Sequence, residues 1–286
     1  MRGRGVAFGA TTVVNAMPSG FGAALGVSLR TFAEVELTDD PIIEVDIAGE
    51  TSERKALAEE SLKVVLERFA IKSGGRIRTR SEIPIARGMK SSSAASNATV
   101  LATLDALGER LEDLEAINLG VEASLRAGVT LTGAFDDACA SYLGMLRVTD
   151  NYRRRILRSY DVEPLSVLFL VPEERRYSGE VDASRVKAAK RLTGIALEEA
   201  TQGRYWQAML LNGLMMANLF HIDPSPILLA IQNGAVSAGL CGKGPAVCAV
   251  SKREDEGAII EGWKDLGQTV LRSEVNRDRA HSGGSV

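Results

Sequence analysis

The chain has 286 residues, of which 45% are hydrophobic and 25% charged, and its formal net charge is −3. That balance fits a globular chain long enough for one large domain or two small ones. It excludes the strongly basic surface by which nucleic acid or an anionic membrane is bound, although a small anionic ligand needs only a local field.

The opening segment, MRGRGVAFGATTVVNAM, carries two arginines, but Gly9, Thr11, Thr12 and Asn15 break the apolar core that a secretory leader needs. "RTFAEVEL" (Arg30 to Leu37) alternates, with Ala33, Val35 and Leu37 on one face and Glu34 and Glu36 on the other, and predicts a half-exposed strand. "IIEVDI" (Ile42 to Ile47) is expected to be its partner across the turn at "TDDP". "SERKALAEESLKVVLERFA" sets Leu57, Leu62, Val65, Leu66 and Phe69 at helical spacing. "GGRIRTR" alternates again and predicts an edge strand with its arginines outward.

A helix is expected from Ser91, and a second over "LEDLEAINLGVEASLRAG", closed by Gly128. "SYLGMLRVTD" and "LSVLFLVP" read as strands. The second, Leu165 to Pro172, is the longest apolar run, far below the roughly 20 residues of a bilayer span. Helices follow from about Asp182 to Asn233, and "AVSAGLCGKGPAVCAV" closes the pattern as strand, glycine loop and apolar segment. The order lacks the βαβα rhythm of a doubly wound sheet and predicts an α+β fold in two halves, residues 1–155 and 156–286. The tail from about residue 279 is expected to be disordered.

Cys139, Cys241 and Cys248 form no C-x-x-C pair, so they read as buried thiols in a reducing compartment, and the chain is expected in the cytoplasm. The only histidines are His221, expected in the core or at a helix end, and His281 in the tail. A histidine-dependent triad or metal site would hang on one residue.

The informative stretch is "PIARGMKSSSAASNATVLATLDALG", Pro84 to Gly108. A helix N-terminus carries unpaired N–H groups and a partial positive charge. It is commonly closed by a capping side chain with Glu or Gln three residues later. Here Ser91, Ser92 and Ser93 are followed at that distance by Ala94, Ala95 and Ser96, so no carboxylate competes for the amides. Gly88 permits close backbone approach and Lys90 adds a charge. The combination describes an anion seat suited to phosphate. An ordinary serine cap on an alanine-rich helix is the structural alternative. The Walker pattern is absent, since Ser237 and Gly244 stand where it needs glycine and Ser or Thr around Gly242-Lys243.

The segment Pro84 to Ala95 resembles the phosphate-binding motif P-x-x-x-G-L-x-S-S-x-A of the GHMP kinases, a family that includes galactokinase, homoserine kinase and mevalonate kinase. "GAFDDA" (Gly133 to Ala138) resembles the family's segment around its catalytic aspartate. "AGLCGKGPA" (Ala238 to Ala246) resembles its C-terminal glycine loop, and "VAFGATTVVNA" its opening strand and turn at the acceptor pocket. Lys90, the third serine Ser93 and the "FDD" variant point to one branch, whose acceptor is a hydroxylated carboxylic acid. Homoserine-phosphorylating members share the same motifs and are the alternative. A ligand sensor of this fold without catalysis is the rival outside the enzymes.

The resemblance implies the GHMP kinase fold, two α+β subdomains with the active site between them, and it implies ATP and Mg²⁺ as cofactors with a small-molecule acceptor. The backbone of Ala86, Arg87, Gly88, Met89, Lys90, Ser91, Ser92, Ser93 and Ala94 would wrap the phosphates, with Gly242 and Gly244 packed against the nucleotide side, helped by Gly239. Mg²⁺ would be held by Ser92, and by Glu122 although that residue lies upstream of the family spacing. Lys90 would stabilise charge on the transferred group. Asp136 would be the catalytic base contacting substrate, with Asp137 the alternative; either could instead be the N-cap of the short helix that follows. Asn15 would contact substrate, and Arg4 falls near a position where some members keep a lysine that favours ionisation of the acceptor hydroxyl.

Overall fold

Two antiparallel-dominated sheets organise the chain in a computed structural model that describes residues 1–48, 55–130, 132–174 and 183–283, the side chains of 183–185 excepted. The first sheet has seven strands: β1 (Arg2–Val14), β2 (Phe21–Thr38), β3 (Ile43–Ile47), β4 (Gly74–Ser81), β5 (Leu146–Asp150), β6 (Arg155–Tyr160) and, from the far end of the chain, β11 (His281–Ser282). The second has four, in the order β10 (Thr269–Glu274), β7 (Ser166–Val171), β9 (Val247–Ser251) and β8 (Ser237–Leu240).

Charge explains the order in the first sheet. Glu34 and Glu36 of β2 sit opposite Arg4 and Arg2 of β1 on one side and opposite Arg78 and Arg76 of β4 on the other. Arg76 and Arg78 in turn face Glu44 and Asp46 of β3. Acidic β2 and β3 side by side would place like charges opposite each other, which is unfavourable; a basic strand between them makes every neighbour complementary. The expected β2–β3 pairing is therefore replaced by a β3–β4 pairing, parallel and reached through the crossover helix α1 (Lys55–Arg68). β4 is an interior strand, not an edge, although its arginines do point outward.

The opposite face of β1 is made for close helix contact. A Cβ on Gly3 would lie 2.1 Å from the Ala106 nitrogen, and one on Gly5 would lie 2.2 Å from the Ala98 oxygen. Only glycine lets α2 (Ser91–Leu107) lie this near, and Ala98, Ala102 and Ala106 are its matching small residues. α2 is buried on almost every side. Its internal threonines, Thr99 and Thr103, satisfy their hydroxyls on the carbonyls of Ala95 and Thr99. Beside it lie α3 (Asp113–Arg126) and α4 (Phe135–Leu143), the latter tied to α2 by Asn97, whose side-chain amide donates to Ala138 O and Ser141 Oγ.

Helices α5 (Ala183–Ala188), α6 (Lys190–Thr201), α7 (Tyr205–Leu219), α8 (Ser225–Gln232) and α9 (Glu256–Trp263) accompany the second sheet. One apolar cluster runs across both sheets, joining Val13, Val14, Leu25 and Leu146 to Phe169, Met209, Cys241 and Cys248. β6 pairs with β5, so the chain passes to the second sheet only between residues 161 and 165.

The tail corrects expectation. Ala280 is buried, Arg279 pairs with Asp113 at 2.6 Å, and His281–Ser282 add a strand to β1 opposite Val6 and Gly5. The open edge of β1 supplies the hydrogen bonds that hold this segment; residues 284–286 lie outside the described part. His221 follows α7 at a positive φ of 54°, an exposed helix end. All three cysteines are buried and unlinked. Among the described residues no helix is long and apolar enough to cross a membrane.

Candidate active site

The N-terminus of α2 is bare. Lys90 occupies its N-cap position in a left-handed conformation (φ 61°), no side chain caps the first turn, and no acid lies in it. Ala86 and Gly88 are left-handed too, at φ 56° and 81°, so every second residue of the approach turns its backbone the same way. Alternation of this kind gathers successive N–H groups toward one point. Ser91 and Ser93 are buried, whereas Ser92 is half-exposed.

The glycine loop is clamped over this turn. A Cβ on Gly88 would lie 2.0 Å from Cys241 O, and one on Gly242 would lie 3.3 Å from Lys90 Nζ. Ala246 N–H donates to Arg87 O, and the Arg87 guanidinium donates to the carbonyls of Glu173 and Glu174. Gly88→Ala would meet both a backbone clash and an unfavourable positive φ. It is expected to cost about 1–3 kcal/mol of stability, read by denaturant unfolding. Gly239 serves elsewhere: it faces α7, where a Cβ on Gly213 would lie 2.4 Å from its Cα.

β1 seats the same loop from below. Thr12 Oγ1 accepts from Gly242 N–H at 2.8 Å, and Thr11 Oγ1 lies 3.5 Å from Cys241 Sγ. Asn15 donates from Nδ2 to Gly242 O, accepts from Met17 N–H at Oδ1, and gives its own N–H to Asn212 Oδ1. Asn15 is thus beside the glycine loop, and it fastens the turn after β1 to that loop and to α7. Sequence reading missed Thr12, although its place in "TTVVN" next to Asn15 was on view.

The two acids of "FDDA" lie in the first turn of α4, which begins at Phe135 behind a left-handed Ala134; neither is its N-cap. Successive positions on a helix diverge, and these two acids meet different partners. Asp136 Oδ1 accepts from Asn151 Nδ2 at 2.8 Å, and its Oδ2 lies against the start of β2, where a Cβ on Gly22 would come within 2.3 Å of it and within 2.9 Å of the methyl of Ala16 in the preceding turn. Asp137 Oδ2 pairs with Lys90 Nζ at 2.9 Å, and its Oδ1 is buried without a hydrogen-bond partner. Burial pushes the Asp137 carboxyl up, as does the Asp136 charge, and Lys90 draws it back, leaving it at about 7. Burial works against the Lys90 charge, but Asp137 and Asp136 outweigh it and hold its pKa above 10.5. Lys90 therefore stays cationic between the glycine loop and the acids.

Two expected residues stand apart. Arg4 lies at the far end of β1 from Asn15, about 35 Å away along the strand, and pairs with Glu34 at 3.4 Å. It belongs to the charge ladder, not to the acceptor. Glu122 accepts from Arg154 at Oε2 (3.1 Å) and from Arg126 at Oε1 (3.2 Å). Hydrogen bonds from Arg154 and Arg126 hold its carboxyl below the usual range. Each Glu122 oxygen is thus engaged by a guanidinium, whereas the Ser92 hydroxyl is half-exposed at a bare helix N-terminus. Among the described residues no group of three His, Cys, Asp or Glu side chains gathers as a metal cluster.

A bare helix start with a lysine, facing a glycine loop and the two acids of α4, is a layout for phosphoryl transfer to a small molecule. The family model for the GHMP kinases N-terminal domain matches residues 56–145. The chain belongs to the GHMP kinase family. Along its whole length it is similar to proteins named shikimate kinase: 45% identical to that of Methanothrix thermoacetophila, covering 99% of this chain and 97% of the relative, and 42% identical to that of Thermococcus kodakarensis, covering 95% and 99%. Among solved structures, a homoserine kinase from Cytophaga hutchinsonii superposes with a TM-score of 0.77 at 17% identity over 98% of this chain and 97% of its own. The mevalonate kinase of Methanococcus jannaschii gives 0.75 at 14% identity over 96% and 98%. These likenesses at low identity establish the fold.

Proposed function

We propose that this protein transfers the terminal phosphoryl group of ATP, with Mg²⁺, to a hydroxyl of shikimate in the cytoplasm. The observation that carries the reading is the juxtaposition of the bare α2 N-terminus and Lys90 with the acids of α4, in a chain whose full-length relatives bear the name shikimate kinase. In this reading the amides of residues 86–93 bind the phosphates, that of Ala94 being taken by the Lys90 carbonyl, and Gly242 and Gly244 close the nucleotide side. Lys90, held charged by Asp137, neutralises charge that grows on the transferred group. Asp136 Oδ2, on the acceptor side, takes the hydroxyl proton. Mg²⁺ supplies further charge neutralisation when bound, with Ser92 Oγ and the phosphate oxygens as its hard ligands.

Side-by-side measurement of ADP release with shikimate and with homoserine tests the acceptor: turnover is expected with shikimate and not with homoserine. Turnover with homoserine alone would replace the acceptor, and turnover with neither would favour a ligand-binding role. Ser92→Ala is expected to raise the Mg²⁺ concentration needed for half-maximal rate while leaving the melting temperature unchanged, because no side chain caps this helix. A lower melting temperature with normal Mg²⁺ dependence would make Ser92 a structural residue.

A further inference from the structure

Asn151 sits in the turn after β5, is buried, and matches no motif of the sequence. Its side chain bonds Asp136 twice, once at the carboxylate and once at the backbone. Asn151 Nδ2 donates to Asp136 Oδ1 at 2.8 Å, and Asp136 N–H donates to Asn151 Oδ1 at 3.1 Å. The amide is fixed by a third group, since Thr149 Oγ1 donates to the same Oδ1 at 2.7 Å. Flipping the amide would set its oxygen against a carboxylate and its NH₂ against two donors, so only one orientation satisfies every partner. The Asn151 backbone completes the link: its N–H donates to Gly20 O at 2.8 Å, in the acceptor turn. A single residue thus bonds the acid, the first turn of α4 and the segment that faces the acceptor.

We propose that Asn151, oriented by Thr149, is a positioning residue that sets the Asp136 carboxylate against the acceptor hydroxyl. The inference rests on the reading of Asp136 as the base. Asn151 touches no reacting atom; it leaves Asp136 Oδ2 as the free oxygen by occupying Oδ1, and it fixes the spacing between α4 and the acceptor turn. A base displaced by about 1 Å loses on the order of 10²-fold in rate.

The test is a double-mutant cycle on the full chain, following kcat, KM for ATP and melting temperature. Asn151→Ala is expected to lower kcat by about 10²-fold with KM for ATP unchanged. In the Asp136→Asn background the same change is expected to cost nothing further, because the group it positions is already gone. Thr149→Val, which removes one hydroxyl and keeps the shape, is expected to show the same pattern at smaller amplitude, and it decides the matter alone should Asn151→Ala fail to fold. An equal loss in both backgrounds, or a lowered melting temperature with normal kcat, overturns the proposal and leaves Asn151 a structural residue. Full turnover in Asp136→Asn alone would instead overturn the base assignment, and the positioning role with it.

Discussion

Asp136→Asn is expected to lower turnover with shikimate by about 10²–10⁴-fold, the usual worth of a positioned base, while ATP binding survives. The amide keeps the size of the carboxyl group but has almost no affinity for a proton. In the proposed reading ATP binds at α2 and the glycine loop, so KM for ATP should hardly change. Asp137→Asn is expected to cost less turnover, because that acid faces Lys90 and not the acceptor turn. Its signature is in stability. Asp137 binds its proton more tightly folded, at about 7, than its ordinary 3.8. Between those values the folded state holds the extra proton, so stability falls as pH rises from about 4 to about 7 and is flat outside that window. Removing the carboxyl should flatten that slope. Should Asp137→Asn be the inactive enzyme and Asp136→Asn the active one, the two roles are exchanged.

The bare start of α2 was legible because its evidence is local. Glycine, lysine and serines in one short run, with no acid in the next turn, announce a bare helix start whatever packs around it. Strand faces were legible for the same reason, as alternation fixes which side chains of "AEVEL" and "RIRTR" point inward. Neighbours were harder. The "TDDP" turn implied a β2–β3 hairpin, yet charge complementarity puts "RIR" between "EVE" and "EVD". That signal stood in the sequence as sign, not hydrophobicity, and a reading by apolar period passes over it. Arg4 fell to the same oversight. The tail was called disordered on its polar composition, whereas the open edge of β1 gives it partners that composition does not record. Asn151 had no local signal at all. Fifteen residues separate it from Asp136, and only the meeting of α4 with the β5 turn brings them together.

Lys90→Met should show the largest combined effect, because it removes the cation of a buried pair and leaves two neighbouring carboxylates facing each other. Loss of one partner from such a pair costs about 3–5 kcal/mol, and the phosphates lose their charge partner, so turnover falls as well. The stability loss should depend on pH in a definite direction. Lys90 has its pKa raised above 10.5, so it stays charged in the native protein throughout pH 5–8 and contributes no slope there. Without it, the charge that drew the Asp137 carboxyl down is gone, and that carboxyl should hold its proton to higher pH than about 7. The gap between variant and parent should therefore be steady from pH 5 to about 7, where Asp137 holds its proton in both, and widen above about pH 7. Chemical denaturation across that range reads it directly. The double variant Lys90→Met/Asp137→Asn separates the two roles of the lysine. With no carboxylate left unpaired at residue 137, most of the lost stability should return. Turnover should not, since the charge facing the phosphates is still missing. Recovery of turnover with stability would mean that Lys90 only balances Asp137 and has no part in phosphoryl transfer.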